Sequence, residues 1–233
     1  MNTKSIIKTV GAFLVLATIG CIKEKSPQHL YQAYYVEYNP TDTYTYAIAY
    51  FAVKDSTGEL IKFNDDNTIK VNGITSNSHL YYIHVHGSDT YEWLYKDIRN
   101  VAFQFTLPDK TLVNSISASS VGNISLSADS VLIRTDTFSA SWAGTPLEPD
   151  DRLIVSMIRE DTSHSKEGLY TQASCTISGN NLYFDYQSTS QLKPGKYRLD
   201  VEKRRRFPLQ QQTGDASGKI TTSLKAYKYV LVK

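Results

Sequence analysis

Apolar and polar positions alternate with a period of two along much of this chain, the spacing of strands that bury one face. Tyr44–Val53 (YTYAIAYFAV) is rich in aromatic and β-branched residues and stops at the turn Asp55-Ser56-Thr57-Gly58. Further strands are predicted over Glu59–Phe63, Thr68–Val71, Leu80–His86 and Val101–Leu107, separated by Asn64-Asp65-Asp66-Asn67, Asn72-Gly73, Gly87-Ser88-Asp89 and Pro108-Asp109-Lys110. A second series follows: Val131–Ile133, Phe138–Trp142, Leu153–Ile158, Tyr170–Ile177, Leu182–Tyr186, Tyr197–Val201 and Ala226–Val232. No window holds a sustained helical period with caps. Short strands at this turn spacing predict an all-β chain built as two consecutive antiparallel sandwiches. The small, polar stretch Ser115–Asp129 is the expected seam, which divides the body into domains at 30–120 and 121–233.

The first residues break the pattern. Lys4 and Lys8 precede the apolar run Val10–Ala17, and Thr18-Ile19-Gly20-Cys21 closes it with small residues. That run is shorter than the roughly 20 residues a membrane-spanning helix needs, so it reads as a cleaved signal, residues 1–20. The tail Ala17-Thr18-Ile19-Gly20-Cys21 resembles the lipobox of bacterial lipoproteins, although Thr18 stands where leucine is usual. The resemblance implies acylation of Cys21 and lasting membrane attachment through several acyl chains. Residues 21–29 would then form a lipidated polar tether. The implied address is the cell envelope, with the outer membrane as the expected membrane; only Glu24 is acidic beside the cysteine, so the leaflet is left open.

Charge removes one class of partner. The chain has 25 basic and 23 acidic residues, and Lys4 and Lys8 of the signal account for the excess. A neutral body argues against nucleic acid. Of two cysteines, acylation of Cys21 leaves Cys175 alone, so no disulfide framework is expected and Cys175 reads as a small buried residue.

Leu192-Lys193-Pro194-Gly195-Lys196-Tyr197 resembles the L-x-P-G-x-Y approach to strand F in immunoglobulin-like and fibronectin type III-like modules. The resemblance covers about residues 121–233. It implies that Tyr197 pins the corner through its hydroxyl, that Leu192 packs beneath it after the Pro194-Gly195 turn, and that Trp142 is a core aromatic. The layout as a whole resembles two-domain immunoglobulin-like envelope lipoproteins.

Candidate chemistry is sparse. None of the local catalytic motifs for nucleophilic, zinc-protease, phosphate-loop or dinucleotide chemistry occurs, and no enzyme activity or cofactor is expected. His84 and His86 share one strand face and could hold a zinc or copper ion with a third ligand from elsewhere; a polar strand face explains them as well. Asp65-Asp66-Asn67 lacks the calcium-loop pattern and reads as a turn. Lys203-Arg204-Arg205-Arg206 is expected at a strand end, either as a solvated loop or facing anionic headgroups or acidic glycans. Among 17 tyrosines, Tyr44, Tyr46 and Tyr50 share one parity of their strand. If the Ala47-Ala49-Phe51 parity packs inward, the tyrosines form an outward row able to stack on sugar rings. The expectation is a non-enzymatic binding or adhesion module for a glycan or envelope protein. The alternative is an accessory lipoprotein that docks by strand-edge pairing.

Overall fold

The computed structural model describes residues 30–61, 63, 68–75, 90–160, 170–171, 175–214 and 217–233. The predicted signal and Cys21, the tether, the Leu80–His86 strand with His84 and His86, and the Asp65-Asp66-Asn67 turn lie outside the described residues.

The fold is all-β. The N-terminal half contributes β1 (Leu30–Asn39), β2 (Tyr44–Val53), β3 (Thr68–Val71), β4 (Ile74–Thr75), β5 (Tyr91–Lys96), β6 (Asn100–Thr106) and β7 (Thr111–Ser117). The C-terminal half contributes β8 (Ile124–Ala128), β9 (Val131–Leu132), β10 (Phe138–Gly144), β11 (Arg152–Arg159), β12 (Tyr170–Thr171), β13 (Thr176–Ser178) and β14 (Asn181–Phe184). It ends with a short helix α1 (Tyr186–Ser190) and the long hairpin β15 (Gly195–Pro208) and β16 (Gly218–Val232).

These strands form one eight-stranded sheet and two four-stranded sheets. The large sheet runs β12-β11-β15-β16-β1-β2-β5, with β9 also on β16. One small sheet is β4-β3-β6-β7 and the other is β13-β14-β10-β8. The strands of the two halves therefore share a sheet: β1 pairs in parallel with the first half of β16, Gln32 opposite Gly218 through Tyr38 opposite Leu224. Residues 30–39, for which no strand is expected from the pattern, take the central place in this junction. Tyrosines stand on both of its faces, Tyr34 and Tyr38 inward and Tyr31 and Tyr35 outward, which blurs the alternation.

The expected seam also behaves differently from a linker. Ser115–Ser117 still belong to β7, Ala118–Ser120 make a single 3-10 turn, and Ile124–Ala128 form β8. Ala118 and Val121 are buried there. The apolar residues of this stretch turn into the core while Ser115, Ser119, Asn123, Ser125 and Ser127 stay exposed, so its polar composition belongs to the solvent side of a structured crossing between sheets. Likewise Tyr170–Ile177 is divided between β12 of the large sheet and β13 of a small one, and Asp185 ends the Leu182 strand by capping α1 through Ser188 N–H at 2.8 Å.

One continuous core joins the halves. Against the β1-β2-β5 part of the large sheet, Phe103 stacks on Tyr34 with ring centroids 4.4 Å apart, and Phe105 meets Phe51 at 4.6 Å. Against the β11-β15-β16 part, Trp142, Phe138 and Phe184 are buried with Leu199, Val201 and Val230. Each such side chain contributes about 1.5–3 kcal/mol through burial. Turn chemistry fixes register: Asn72 and Gly73 take consecutive positive φ values of 49° and 82°, the two-residue hairpin geometry that Asn-Gly favours.

Candidate binding surface

The parity question for β2 is decided by the core. Ala47, Ala49 and Phe51 are fully buried, with Phe51 packed on Phe63, Phe105 and Tyr34. Tyr44, Tyr46 and Tyr50 consequently line the outer face of the large sheet, each half-buried. Neighbouring strands extend the row. Tyr31 on β1 lies 6.2 Å from Tyr50, centroid to centroid, and these two rings close over Ala33 and Ala52 as a small second apolar cluster.

Towards β15 the same face becomes a network of charges. The Tyr35 hydroxyl lies 3.2 Å from Glu37, 3.2 Å from Glu202 and 2.9 Å from Ser223 Oγ. Arg204 pairs with Glu202 at 2.7 Å and sits over the Tyr35 ring. Asp200, only 2% exposed, receives Arg198 through two bonds of 2.8 and 3.1 Å and Lys225 at 3.2 Å. Lys196 binds Glu160 at 2.9 Å and lies 3.8 Å over the Tyr229 ring, while the Tyr227 hydroxyl donates to Asp42. Electrostatics follow from this crowding. Burial first, then Glu37 and Glu202, pushes the Tyr35 hydroxyl well above the usual range. Burial raises the Glu37 carboxyl against the pull of Lys225. For Lys225 burial works the other way, but Glu37 and Asp200 outweigh it and raise its pKa.

The basic run is not at a strand end. β15 continues through Pro208, so alternate residues point to opposite faces. Lys203 and Arg205 turn inward. The Lys203 ammonium and the Asp151 carboxylate are 3.2 Å apart with both side chains 0% exposed, and Lys203 Nζ also donates to the carbonyls of Thr145 and Pro146 at 3.1 Å each. Arg205 binds Asp151 through two bonds of 2.6 and 2.8 Å, Glu148 at 3.0 Å and the Ser120 carbonyl at 3.1 Å. Burial alone would raise the Asp151 carboxyl, but Arg205, the Glu148 N–H and Lys203 hold it at about 2. With Arg204 paired to Glu202, only Arg206 of the four is exposed and without an ion pair among the described residues. The run is a clasp between the 3-10 turn, the 145–151 loop and β15.

The corner residues are core residues. Leu192, Tyr197 and Trp142 are buried, and Gly195 holds φ at 147° where a Cβ would meet Arg159 Nε at 3.3 Å; the Arg159 Nη2 donates to the Pro194 carbonyl at 3.3 Å. The Tyr197 hydroxyl, however, makes no hydrogen bond among the described residues, so the corner bond is not found there. Cys175 is half-buried against the main core, and burial raises its thiol pKa, which suits a packing role. A pocket of about 30 Å³ opens at the β1–β2 turn between Tyr38, Asn39, Tyr44 and Arg99, room for a water molecule or two. Among the described residues no three of His, Cys, Asp and Glu are grouped to hold a metal ion, and no helix is long and apolar enough to cross a membrane.

Sequence reasoning did not single out Tyr31, Tyr35, Glu37, Tyr227 and Tyr229 as part of this face. Their period-two spacing was visible, but which strands adjoin was not. No protein-family profile matches the chain, and no curated protein matches it.

Proposed function

We propose that this protein is a lipid-anchored lipoprotein of a bacterial cell envelope that works by binding, without turnover, and that the outer face of its large sheet receives a glycan. The observation that carries the reading is the half-buried Tyr44, Tyr46, Tyr50 row on one outward face, backed by the buried Tyr31 ring and next to carboxylates and guanidinium groups already fixed by ion pairs. Aromatic rings offer apolar faces to sugar rings, and pre-positioned polar groups can meet hydroxyls at little ordering cost. The lipobox-like Ala17–Cys21 segment supports the anchor and the envelope, with the outer membrane as the expected site. The order β8-β10-β14-β13 in one sheet and β11-β15-β16 in the other supports an immunoglobulin-like reading of the C-terminal half, since it matches the ABED and CFG arrangement.

A glycan array probed with the mature protein tests the binding. Retention is expected to fall about tenfold or more, equivalent to about 1.4 kcal/mol, when Tyr44 and Tyr50 are both replaced by serine. It should change little with salt, because stacking is not screened. A blank array at high protein concentration, or retention untouched by the double replacement, would remove the reading. Mass spectrometry of the mature N-terminus tests the anchor separately: an unacylated Cys21, or cleavage elsewhere, rejects it.

A further inference from the structure

Most strand edges of this fold are closed by a recognisable device. At the margin of its small sheet, β7 is capped by side chains: Gln211 Oε1 accepts from Val113 N–H at 2.7 Å and Gln210 Oε1 from Ser115 N–H at 2.9 Å. Gln210 Nε2 returns a bond to the Ser115 carbonyl at 2.9 Å. β15 outruns its partner β11, whose last pairing is Arg152 with Arg204, and there presents Arg206 and Pro208. A charge and a proline without an N–H discourage further pairing. β4 and β12 are two residues long, and β5 carries Glu92 and Lys96.

The outer edge of β16 has no such device along one stretch. β1 covers Gly218–Leu224 and β9 covers Leu231–Val232. Between them, Tyr227 and Tyr229 pair only with Asp200 and Arg198 of β15. The Leu231 N–H donates to the Ser130 carbonyl at 2.8 Å and the Lys233 N–H to the Leu132 carbonyl at 2.9 Å. Odd-numbered residues here therefore turn their backbone groups away from β15. By the same alternation the N–H and C=O of Tyr227 and Tyr229 face the gap, and no group among the described residues bonds to them. Beside the gap stands an exposed apolar patch: Leu231 is opposite Val131, at 43% and 37% exposure, with Tyr229 at 42% and Ile133 at 51% on the same face.

We propose that this gap is a docking site for an extended peptide segment of a partner protein, which adds a short strand between β1 and β9. Unpaired main-chain donors and acceptors in a row call for another main chain. The gap from Lys225 to Val230 is about 20 Å long, so the docked strand is about six residues. Side chains on its outer face would pack on Tyr229 and Leu231, so the segment alternates apolar and polar residues. A second copy of this chain fits less well, because each gap is recessed between two strands and two recesses cannot meet edge to edge. The tether is too far away. Leu30 is held to Thr213 by bonds of 3.2 and 3.1 Å at the opposite end of β16, about 36 Å along the strand from Tyr227. Residues 22–29 span at most about 29 Å. Tyr229 stands at the margin of the glycan-binding face, but the docking rests on main-chain groups, and replacement of Tyr44 and Tyr50 leaves those untouched, so the two readings stand or fall separately.

Peptides selected from a phage-displayed random library on the full chain test the proposal. Tyr229→Pro deletes one of the two tyrosine N–H groups that face the gap and breaks no bond to β15, while Tyr229→Val keeps that N–H and loses the ring. Selected peptides are expected to alternate apolar and polar residues, to bind the Tyr229→Val protein within about threefold of the parent, and to lose about tenfold or more on Tyr229→Pro, provided both variants melt near the parent temperature. Amide exchange at Tyr227 and Tyr229 should be fast in the free protein and slowed by the peptide. Four results would overturn the proposal: no peptide selected, equal binding to Tyr229→Pro, amides already protected in the free chain, or protection that appears with self-association.

Discussion

The clasp around Asp151 allows a quantitative test of how the 145–151 loop is held to β15. Lys203 is 0% exposed and its ammonium has Asp151 as its counter-charge, helped by two carbonyls. Asp151→Ala leaves that charge buried and unpaired and removes both bonds to Arg205, a change that costs about 3–5 kcal/mol. With a denaturant slope of about 2 kcal/mol per molar urea, the unfolding midpoint should drop by about 1.5–2.5 M. Lys203→Met should cost less, because the remaining carboxylate keeps Arg205 and the methionine fills the space. The acid limb is a second readout. Asp151 titrates near 2 in the folded protein against a usual 3.8, so its ionised form contributes about 2 kcal/mol. For a depressed carboxyl that contribution is complete above the unfolded pKa and disappears as pH falls through the folded one. Wild-type stability should therefore fall between about pH 4 and pH 2 more steeply than that of Asp151→Asn by about this amount. A midpoint shift below about 0.5 M for Asp151→Ala, with parallel acid limbs, would refute the clasp.

Three further outcomes follow from the same geometry. Asn114 accepts the N–H groups of Gln210 and Gln211 at 2.8 and 3.0 Å; Asn114→Ala should cost about 1–3 kcal/mol in urea unfolding and speed amide exchange at Val113 and Ser115. The Tyr38 hydroxyl donates to the Ile116 carbonyl at 3.2 Å, so Tyr38→Phe should cost about 1 kcal/mol, whereas Tyr197→Phe should stay within about 0.5 kcal/mol; the reverse order would mean that the Tyr197 hydroxyl has a partner after all. Phe51→Ala, in the middle of the aromatic cluster with Phe63 and Phe105, should lower stability by about 3–5 kcal/mol, measured by the same urea titration.

Local pattern determined a good deal of this protein by itself. The period of two in Tyr44–Val53 and Val101–Leu107, the turn residues between strands, and the requirement of Asn72-Gly73 for positive φ are properties of neighbouring residues, and β2, β3 and β6 lie within a residue or so of where those properties put them. The all-β class and the core roles of Leu192, Leu199 and Trp142 come from the same short-range information. What only the tertiary structure decided is which strands meet. The pairing of β1 with β16 joins residues more than a hundred positions apart, and parallel partners need no turn signal to announce them. That one contact joins strands from both sides of Ser115–Asp129 in one sheet, so a stretch composed like a linker becomes a structured crossing whose apolar residues are buried. The pairing of β15 with β11 and β16 likewise fixes the fate of Lys203–Arg206. Four consecutive cations look like a solvated loop until β15 is seen to run through them, sending Lys203 and Arg205 to a buried aspartate and Arg204 to Glu202. The sign and spacing of charges are written in the chain; whether a charge meets water or a counter-charge depends on residues brought in from elsewhere.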